Sequence, residues 1–284
     1  MTSIAPVVEK LLSNHHNHLQ GQDKYVFPPG ERLDMSQICH SYTFPIIDLK
    51  DLDGPHRIKL VNEIRQACEE DGFFQIINHG ASETVMKSMM GIAKEFFEMP
   101  VEDRVCLNSE NLRETVRIFT SFNVTKGQPF EWKDYLRHPC HPLEEFINSW
   151  PQKPALYREV AGKYCKELRV LVLRLLAAIS EALGQDPDYL NEIFGNHSQV
   201  ISNGRFKSAE HRAVTNKTTA RISIPTFYGP SLDTFIAPAA AMVDEEHPAL
   251  YRGYKFEEYM AAFWSKCGLK GKSILDRFKI EVSP

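Results

Sequence analysis

Apolar residues recur every three to four positions along several stretches of the chain, the spacing that places them on one face of an α-helix. Helices are predicted over residues 56–71, 82–99, 155–183 and 255–266, with a short helix or turn over 187–194. The first carries its apolar face on Ile58, Val61, Ile64, Ala67 and Cys68. Ser82 suits the N-cap of the second helix, which Pro100 stops, and Gly72 suits a left-handed cap at the end of the first.

Elsewhere the pattern indicates strands, because β-branched and aromatic residues cluster in short runs. Strands are predicted over residues 45–49, 73–77 and 130–136, and a connecting loop with four prolines over 138–154. Beyond Gln199, Asn203-Gly204 is a strong hairpin-turn signal. Phe206–Val214 and Ala220–Tyr228 then predict two strands joined by a polar loop.

Composition excludes several classes of protein. The chain has 284 residues, 43% of them hydrophobic, and a net charge of −4, which gives no footprint for nucleic acid or a membrane surface. Six scattered cysteines predict reduced thiols rather than a disulfide framework or a zinc site. No signal-peptide pattern stands at the N-terminus, and the longest apolar run, Val170–Ile179, is too short to span a bilayer. We therefore expect a cytoplasmic protein.

Several longer motifs run through the chain. They are Pro45–Leu49, Asp71–Gly80 (DGFFQIINHG), Glu95–Pro100, Trp132–Leu143 (WKDYLRHPCHPL), Asn148–Pro151 and Ser202–Val214 followed by Arg221–Tyr228. Together they resemble the plant Fe(II)/2-oxoglutarate-dependent dioxygenases. The motifs at 132–143 and 148–151 are similar to the downy-mildew-resistance-type and hyoscyamine-hydroxylase-like subgroup. The resemblance implies Fe(II), 2-oxoglutarate and O₂ as cofactors and co-substrates, and a small-molecule substrate of phenolic, flavonoid or alkaloid type.

The resemblance also implies the fold, an α+β class with a helical N-terminal domain packed on a double-stranded β-helix, or jelly roll. Here Gln199 joins Val200 directly, where complete members carry further strands. We expect a truncated jelly roll lacking several core strands, a loss on the order of 50–70 residues. The predicted domains are an N-terminal dioxygenase domain over 1–150, a scaffold helix and short helix over 151–199, and a jelly-roll remnant over 200–284. A skipped exon or a defective gene model would explain this junction.

The iron site implied by the resemblance is incomplete. Non-haem Fe(II) oxygenases hold iron with two His and one carboxylate. His211 matches the second His, but no His-x-Asp or His-x-Glu tripeptide occurs in the chain to supply the other two ligands. Glu210 points to the opposite face if His211 lies in a strand. The predicted metal ligand is His211 alone, and we expect no catalytic residue and no retained iron.

The co-substrate site implied by the resemblance is Arg221 with Ser223. Two positions apart on a strand, they project to the same face. The planar guanidinium of Arg pairs with a carboxylate through two hydrogen bonds, and a neighbouring hydroxyl can donate to the same group. In the family this pair binds the distal carboxylate of 2-oxoglutarate. The alternative for the two residues alone is a surface salt bridge and a solvated hydroxyl.

Other candidate residues favour a structural reading. His197 with Gln199 has metal-ligand spacing, although Gln is a weak ligand for Fe(II). Three further sets are His15, His16 and His18 as an adventitious chelate, His138, Cys140 and His141 in the proline-rich loop, and Phe119, Phe122 and Phe227 as possible substrate contacts. The run Gly268–Ser273 lacks the first glycine of a phosphate loop.

The sequence leaves two functions open. In the first, the resemblance implies descent from oxygenases that hydroxylate small secondary metabolites, and we expect the chain to be inactive as written because two of three iron ligands are absent. The alternative is a non-catalytic binding or regulatory remnant, or a mis-spliced gene model of an active oxygenase.

Overall fold

The computed structural model describes residues 25–29, 32, 42–109, 114–120, 133–193, 198–209, 211, 213, 218–266 and 273–281. Its helices are α1 (Arg57–Glu70), α2 (Glu83–Glu98), α3 (Val101–Arg104), α4 (Leu143–Phe146), α5 (Tyr157–Ala182), α6 (Tyr189–Ile193), α7 (Ser198–Ile201) and α8 (Phe256–Lys266). Short 3₁₀ helices cover Leu49–Asp51, Val105–Leu107, Ile147–Ser149, Ala240–Met242 and Ile274–Phe278. The strands are β1 (Ile46–Asp48), β2 (Gln75–Ile77), β3 (Arg117–Thr120), β4 (Asp134–Arg137), β5 (Phe235–Ile236) and β6 (Tyr254–Lys255).

The strands of the described residues form three small sheets of two strands each. β1 pairs with β2 in parallel, with Ile47 opposite Ile76, and α1 provides the crossover between them. β3 pairs with β4 and β5 with β6, both antiparallel. A parallel pair needs such a crossover, and α1 fits that role because it directly follows the first strand.

The helices and their caps confirm the sequence prediction closely. The Ser82 side chain accepts a hydrogen bond from the Val85 backbone N–H at the start of α2. Gly72 and Gly184 adopt positive φ angles of 65° and 71° at the ends of α1 and α5. None of the helices in the described part of the chain has the length and apolar content that crossing a bilayer requires.

One residue of the predicted apolar face of α1 is wrongly assigned. Ile58 is 79% exposed, whereas Leu60, which the pattern did not include, is buried beside Val61 and Ile64. The helix begins at Arg57, so Ile58 lies in its first turn. A three-to-four spacing is satisfied by either residue, and the packing of the helix decides between them.

The two strands predicted after the Asn203-Gly204 turn are not formed in the described residues. Residues 206–209, 211 and 213 of the first, and 220–228 of the second, have irregular backbone there. A strand needs a neighbour for its backbone N–H and C=O groups, and the described residues provide no paired partner for either segment. The predicted strand over 130–136 appears as β4, and the proline-rich loop contains the short helix α4.

The chain divides into two compact units, each discontinuous in sequence. The first contains the described residues within Met1–His40, Ser82–Glu167 and Val214–Ile224, and the second those within Ser41–Ala81, Leu168–Ala213 and Pro225–Pro284. The first unit is built around Met89, Ile92, Phe96, Ile118, Trp150, Tyr157 and Ala161. The second has the larger core, which includes Leu49, Leu52, Ile64, Ala178, Leu183, Leu190, Val200, Ile201 and Ile236. Burial of each large apolar side chain stabilises the fold by about 1.5–3 kcal/mol.

A bidentate ion pair joins α1 to the end of α5. Arg57 Nη2 and Nε lie 2.6 and 3.0 Å from Glu181 Oε1, and Arg57 Nη1 donates to the Leu52 carbonyl at 2.7 Å. Both side chains are about three-quarters shielded from solvent. We expect Glu181→Gln to lower the free energy of unfolding by about 1 kcal/mol, because a half-buried cation loses its charged partner.

Urea unfolding of the two proteins at low and high salt measures this effect. The matched control is Glu83→Gln, whose partner Lys87 and own carboxylate are more than three-quarters exposed, and which we expect to leave stability nearly unchanged. Equal losses in the two variants would contradict the assignment.

Candidate functional site

His211, the predicted iron ligand, lies exposed on irregular backbone in the second unit. Its ring packs against Phe73, with centroids 5.3 Å apart, and its Nδ1 lies 2.9 Å from the Ala209 carbonyl oxygen. Since a carbonyl oxygen only accepts, Nδ1 is the donor in this contact. That leaves Nε2, one of the two nitrogens through which imidazoles bind metals, out of this hydrogen bond.

The rest of an iron site is absent among the described residues. No group of three His, Cys, Asp or Glu side chains there has an arrangement that could hold a metal ion. Glu210, the acidic neighbour of His211, lies outside the described residues. The donor set in the described part of the chain therefore does not fit Fe(II), which needs three protein ligands in oxygenases of this type.

Arg221 and Ser223 belong to the first unit, so these two residues and His211 do not form a site within either unit. Both are exposed, while Ile222 and Ile224 between and after them are half-buried. Ile224 packs against the core around Trp150. The strand that was predicted here is missing, but the alternation of exposed and half-buried residues keeps Arg221 and Ser223 on a common, solvent-facing side.

The remaining candidates divide between structural roles and undescribed positions. His15, His16, His18, Phe122, His197 and residues 268–272 lie outside the described residues. Gln199 lies in α7, where its Nε2 approaches the Tyr251 hydroxyl at 3.5 Å. Phe227 is 84% exposed, whereas the half-buried Phe119 ring lies 3.7 Å from the Arg117 guanidinium.

His138 has the structural role that its position in the proline-rich loop predicted. Its Nε2 lies 2.9 Å from the Tyr157 hydroxyl, and its ring packs on Trp150 with centroids 4.4 Å apart. Trp150 in turn donates from Nε1 to the Pro139 carbonyl at 2.9 Å. This arrangement ties the segment after β4 to the core of the first unit.

Asn203 is a second residue whose role the sequence did not reveal. Its amide donates to the Pro248 carbonyl at 3.0 Å and to the Met242 carbonyl at 3.3 Å, and its Oδ1 accepts from the Leu250 backbone N–H at 2.8 Å. Asparagine in a Ser-Asn-Gly turn signals a positive φ, but nothing local predicts these distant partners.

Two family sequence profiles match the chain. Residues 44–153 match the non-haem dioxygenase in morphine synthesis N-terminal family, and residues 180–230 match the 2OG-Fe(II) oxygenase superfamily. Protein DMR6-LIKE OXYGENASE 2 of Arabidopsis thaliana is 36% identical over 352 aligned positions, which cover 100% of this chain and 98% of that protein. The chain belongs to the plant 2OG-Fe(II) oxygenases.

Other plant 2OG-Fe(II) oxygenases agree with this assignment. Hyoscyamine 6-dioxygenase of Hyoscyamus niger is 30% identical, with 78% of this chain and 85% of that protein covered. The crystal structure of JOX2 in complex with 2OG, Fe and JA superposes with a TM-score of 0.76 at 26% identity, covering 91% of this chain and 94% of that one. The family uses Fe(II) and 2-oxoglutarate. The predicted family and the mixed helix-and-sheet class are thereby confirmed.

Proposed function

We propose that this chain derives from an oxygenase that hydroxylates small plant secondary metabolites of phenolic, flavonoid or alkaloid type, and that it does not catalyse this reaction as written. The likeness to hyoscyamine 6-dioxygenase supports the substrate class. One imidazole, His211, is the only ligand of the family's iron site that we assign. A single imidazole cannot hold Fe(II) against water in the geometry that O₂ activation requires.

The observation that carries this proposal is the length of the alignment. The alignment with DMR6-LIKE OXYGENASE 2 has 352 positions and covers this whole chain, which has only 284 residues, so about 68 aligned positions, the difference between the two, lack a residue here. That number supports an internal deletion of the size expected for several jelly-roll strands. We place it at Gln199–Val200, between the N-terminal and scaffold segments, 1–150 and 151–199, and the remnant, 200–284. The cytoplasmic location stays a prediction.

The residues that remain would retain part of the co-substrate chemistry. We assign Arg221 to the distal carboxylate of 2-oxoglutarate and Ser223 to a supporting hydrogen bond, as the family resemblance implies. Their exposure on a common side leaves both free to meet a dicarboxylate in solution. Without a metal to bind the 2-oxo acid end, such contacts are surface interactions and contribute at most about 1 kcal/mol each.

A titration with Fe(II) and 2-oxoglutarate under anaerobic conditions tests the inactivity. We expect no metal-to-ligand charge-transfer band in the visible spectrum and, after oxygen is admitted, no succinate above the protein-free background. DMR6-LIKE OXYGENASE 2, treated in parallel, is the positive control, and His211→Ala should behave as the unchanged chain does. A saturable band with succinate release, lost in His211→Ala, would overturn the proposal.

The second candidate is that the chain represents a mis-spliced or misassembled form of an active oxygenase, or a non-catalytic binding or regulatory remnant. The junction at Gln199 that we propose favours the splicing explanation, because the match to the 2OG-Fe(II) oxygenase superfamily includes residues on both sides of it, 180–230. Sequencing the transcript across the codons for Gln199 and Val200 separates these readings. An uninterrupted transcript of the present length would favour the remnant.

A further inference from the structure

A buried cation with free hydrogen-bond donors lies in the first unit. The Arg117 side chain on β3 is only 1% exposed, and its Nε and Nη2 atoms have no hydrogen-bond acceptor among the described residues. Burying a charged group without a partner is costly in free energy, and folded proteins therefore pair nearly all such groups. The other buried arginine, Arg104, follows this rule, because its Nε donates to the Met99 carbonyl at 3.1 Å. Arg117 needs an acceptor that the described residues do not provide.

The pairing of β3 with β4 places a second cation beside Arg117. Residues directly opposite each other in an antiparallel pair project to the same face, as do residues two apart on one strand. Arg117 is opposite Arg137, and Phe119 is opposite Tyr135, so these four side chains share one face of the sheet. The other face packs against the core of the first unit. Two like charges opposite each other repel, and an anion bound beside them would offset that repulsion.

The free donors of Arg117 have the geometry that binds a carboxylate. The guanidinium carbon lies over the Phe119 ring, 3.7 Å from its centroid, a contact that attracts the charge but provides no oxygen acceptor for the N–H groups. Nε and Nη2 lie on one edge of the planar guanidinium, where two parallel N–H bonds match the two oxygens of a carboxylate. On Arg57 the same two atoms bind Glu181, with Nε 3.0 Å and Nη2 2.6 Å from Oε1. Arg117 thus leaves free the donor pair that binds a carboxylate elsewhere in this chain.

We propose that Arg117 binds the carboxylate of a small organic acid through Nε and Nη2, on the face of the β3–β4 pair that is turned away from the core. Arg137 is exposed on that face and adds a positive charge on the side from which an anion approaches. The charge of Glu114 acts on Arg117, but Glu114 is exposed and accepts from neither of the two free donors. The site requires neither iron nor the residues assigned to 2-oxoglutarate.

Thermal unfolding of the full chain in sodium acetate, compared with sodium chloride at the same ionic strength, tests the binding. We expect the Tm to rise by about 2–4 °C in about 50 mM acetate and to level off above it, because the ligand binds the folded state at one site. In NMR spectra the Arg117 Nε–H resonance should shift with acetate, whereas that of Arg57, already paired with Glu181, should stay unchanged. The absence of a rise in acetate, or an equal rise in chloride, would overturn the proposal.

Two methionine variants distinguish an unpaired Arg117 from one whose counter-charge the chain itself supplies. Arg117→Met should lose the acetate response and unfold at no lower temperature than the unchanged chain, because an uncharged side chain suits a buried position. Arg57→Met is the matched control: it leaves Glu181 without its partner and should lower the Tm by about 3 °C. If both variants lost stability equally, Arg117 would be paired within the chain, and the proposal would be wrong.

Two further variants test the donor geometry and the location of the site. Arg117→Lys keeps the charge but not the pair of parallel donors, so it should weaken acetate binding by about tenfold. Arg221→Ala should keep the full acetate response, which separates this site from the residue assigned to 2-oxoglutarate. An acetate response that survives in Arg117→Met and disappears in Arg221→Ala would place the carboxylate at Arg221 and overturn the proposal.

Discussion

Inserting between Gln199 and Val200 the segment of DMR6-LIKE OXYGENASE 2 that we propose is missing there, about 68 residues, should restore 2-oxoglutarate turnover. We expect succinate production at least about 1,000-fold above that of the unmodified chain, since enzymes accelerate reactions by far larger factors once their site is complete. The physical reason is coordination: the insert supplies the two missing donors, and His211 then becomes the third of a facial set. Succinate release and the anaerobic charge-transfer band are the measurements.

Two controls make the result specific to the iron site. One carries the same insert with Ala at its His and Asp ligands, which should fold like the restored chain but stay at background. The other is His211→Ala in the restored chain, which should lose turnover by a similar factor because the three ligands act as a unit. A restored chain that folds cooperatively and binds no iron would refute the assignment of the junction, of His211, or of both.

The residues around Gln199 and Val200 are well packed, and an insertion between them has to disrupt this packing. Helix α7 runs across it, and Val200 and Ile201 are fully buried in the core of the second unit. The Gly204 N–H bonds to the Gln199 carbonyl at 2.7 Å and the Asn203 N–H to the Val200 carbonyl at 2.9 Å, the pair of bonds that ends a helix in a Schellman motif. The chain as written thus caps a short helix with a motif that, by the family resemblance, belongs to a strand turn.

The use of the Asn203-Gly204 turn as a helix cap shows which kind of sequence prediction succeeds. The Asn203-Gly204 pair predicted a hairpin turn; its φ angles of 51° and 82° are positive, as such a turn requires, but the pair ends a helix and joins no strands in the described residues, so the hairpin was wrong. The sequence of the turn does not decide which elements it connects, because two residues with left-handed backbone can end a helix as readily as they can join two strands. The helix caps at Ser82 and Gly72 were predictable for the same reason: their hydrogen bonds are made within a few residues.

Strands and sites depend instead on residues far away in the sequence. The segments 206–214 and 220–228 have the composition of strands, but a strand forms only beside a neighbour. The sequence predicted His211 as the only iron ligand, and among the described residues no group of three His, Cys, Asp or Glu side chains could hold a metal ion. Local sequence signals therefore predicted the helices, whereas the roles predicted for His211, Arg221 and Ser223 came from the family resemblance.

Asn203→Ala should destabilise the second unit by about 2–4 kcal/mol, the largest single-residue effect on stability that we expect. Asn203 is only 7% exposed and makes three hydrogen bonds to the segment 242–250, of which the one to the Met242 carbonyl is buried and the two to Pro248 and Leu250 are part-buried. Alanine also tolerates the positive φ less well than asparagine, at a further cost of about 1 kcal/mol. Urea unfolding followed by circular dichroism gives the difference.

Asn203→Gly separates the two causes. Glycine accepts the positive φ but makes no side-chain bonds, so this variant should recover about 1 kcal/mol relative to Ala and remain well below the unchanged chain. Asn62→Ala, at an exposed position of α1, is the matched control and should change stability by less than about 0.5 kcal/mol. Glycine as stable as asparagine would mean that backbone conformation alone selects the residue, and the three bonds contribute nothing. A loss of stability shared by the Ala and Gly variants would show that the three side-chain hydrogen bonds are the reason for asparagine at position 203. Asn203 would then serve in this chain to anchor the segment 242–250.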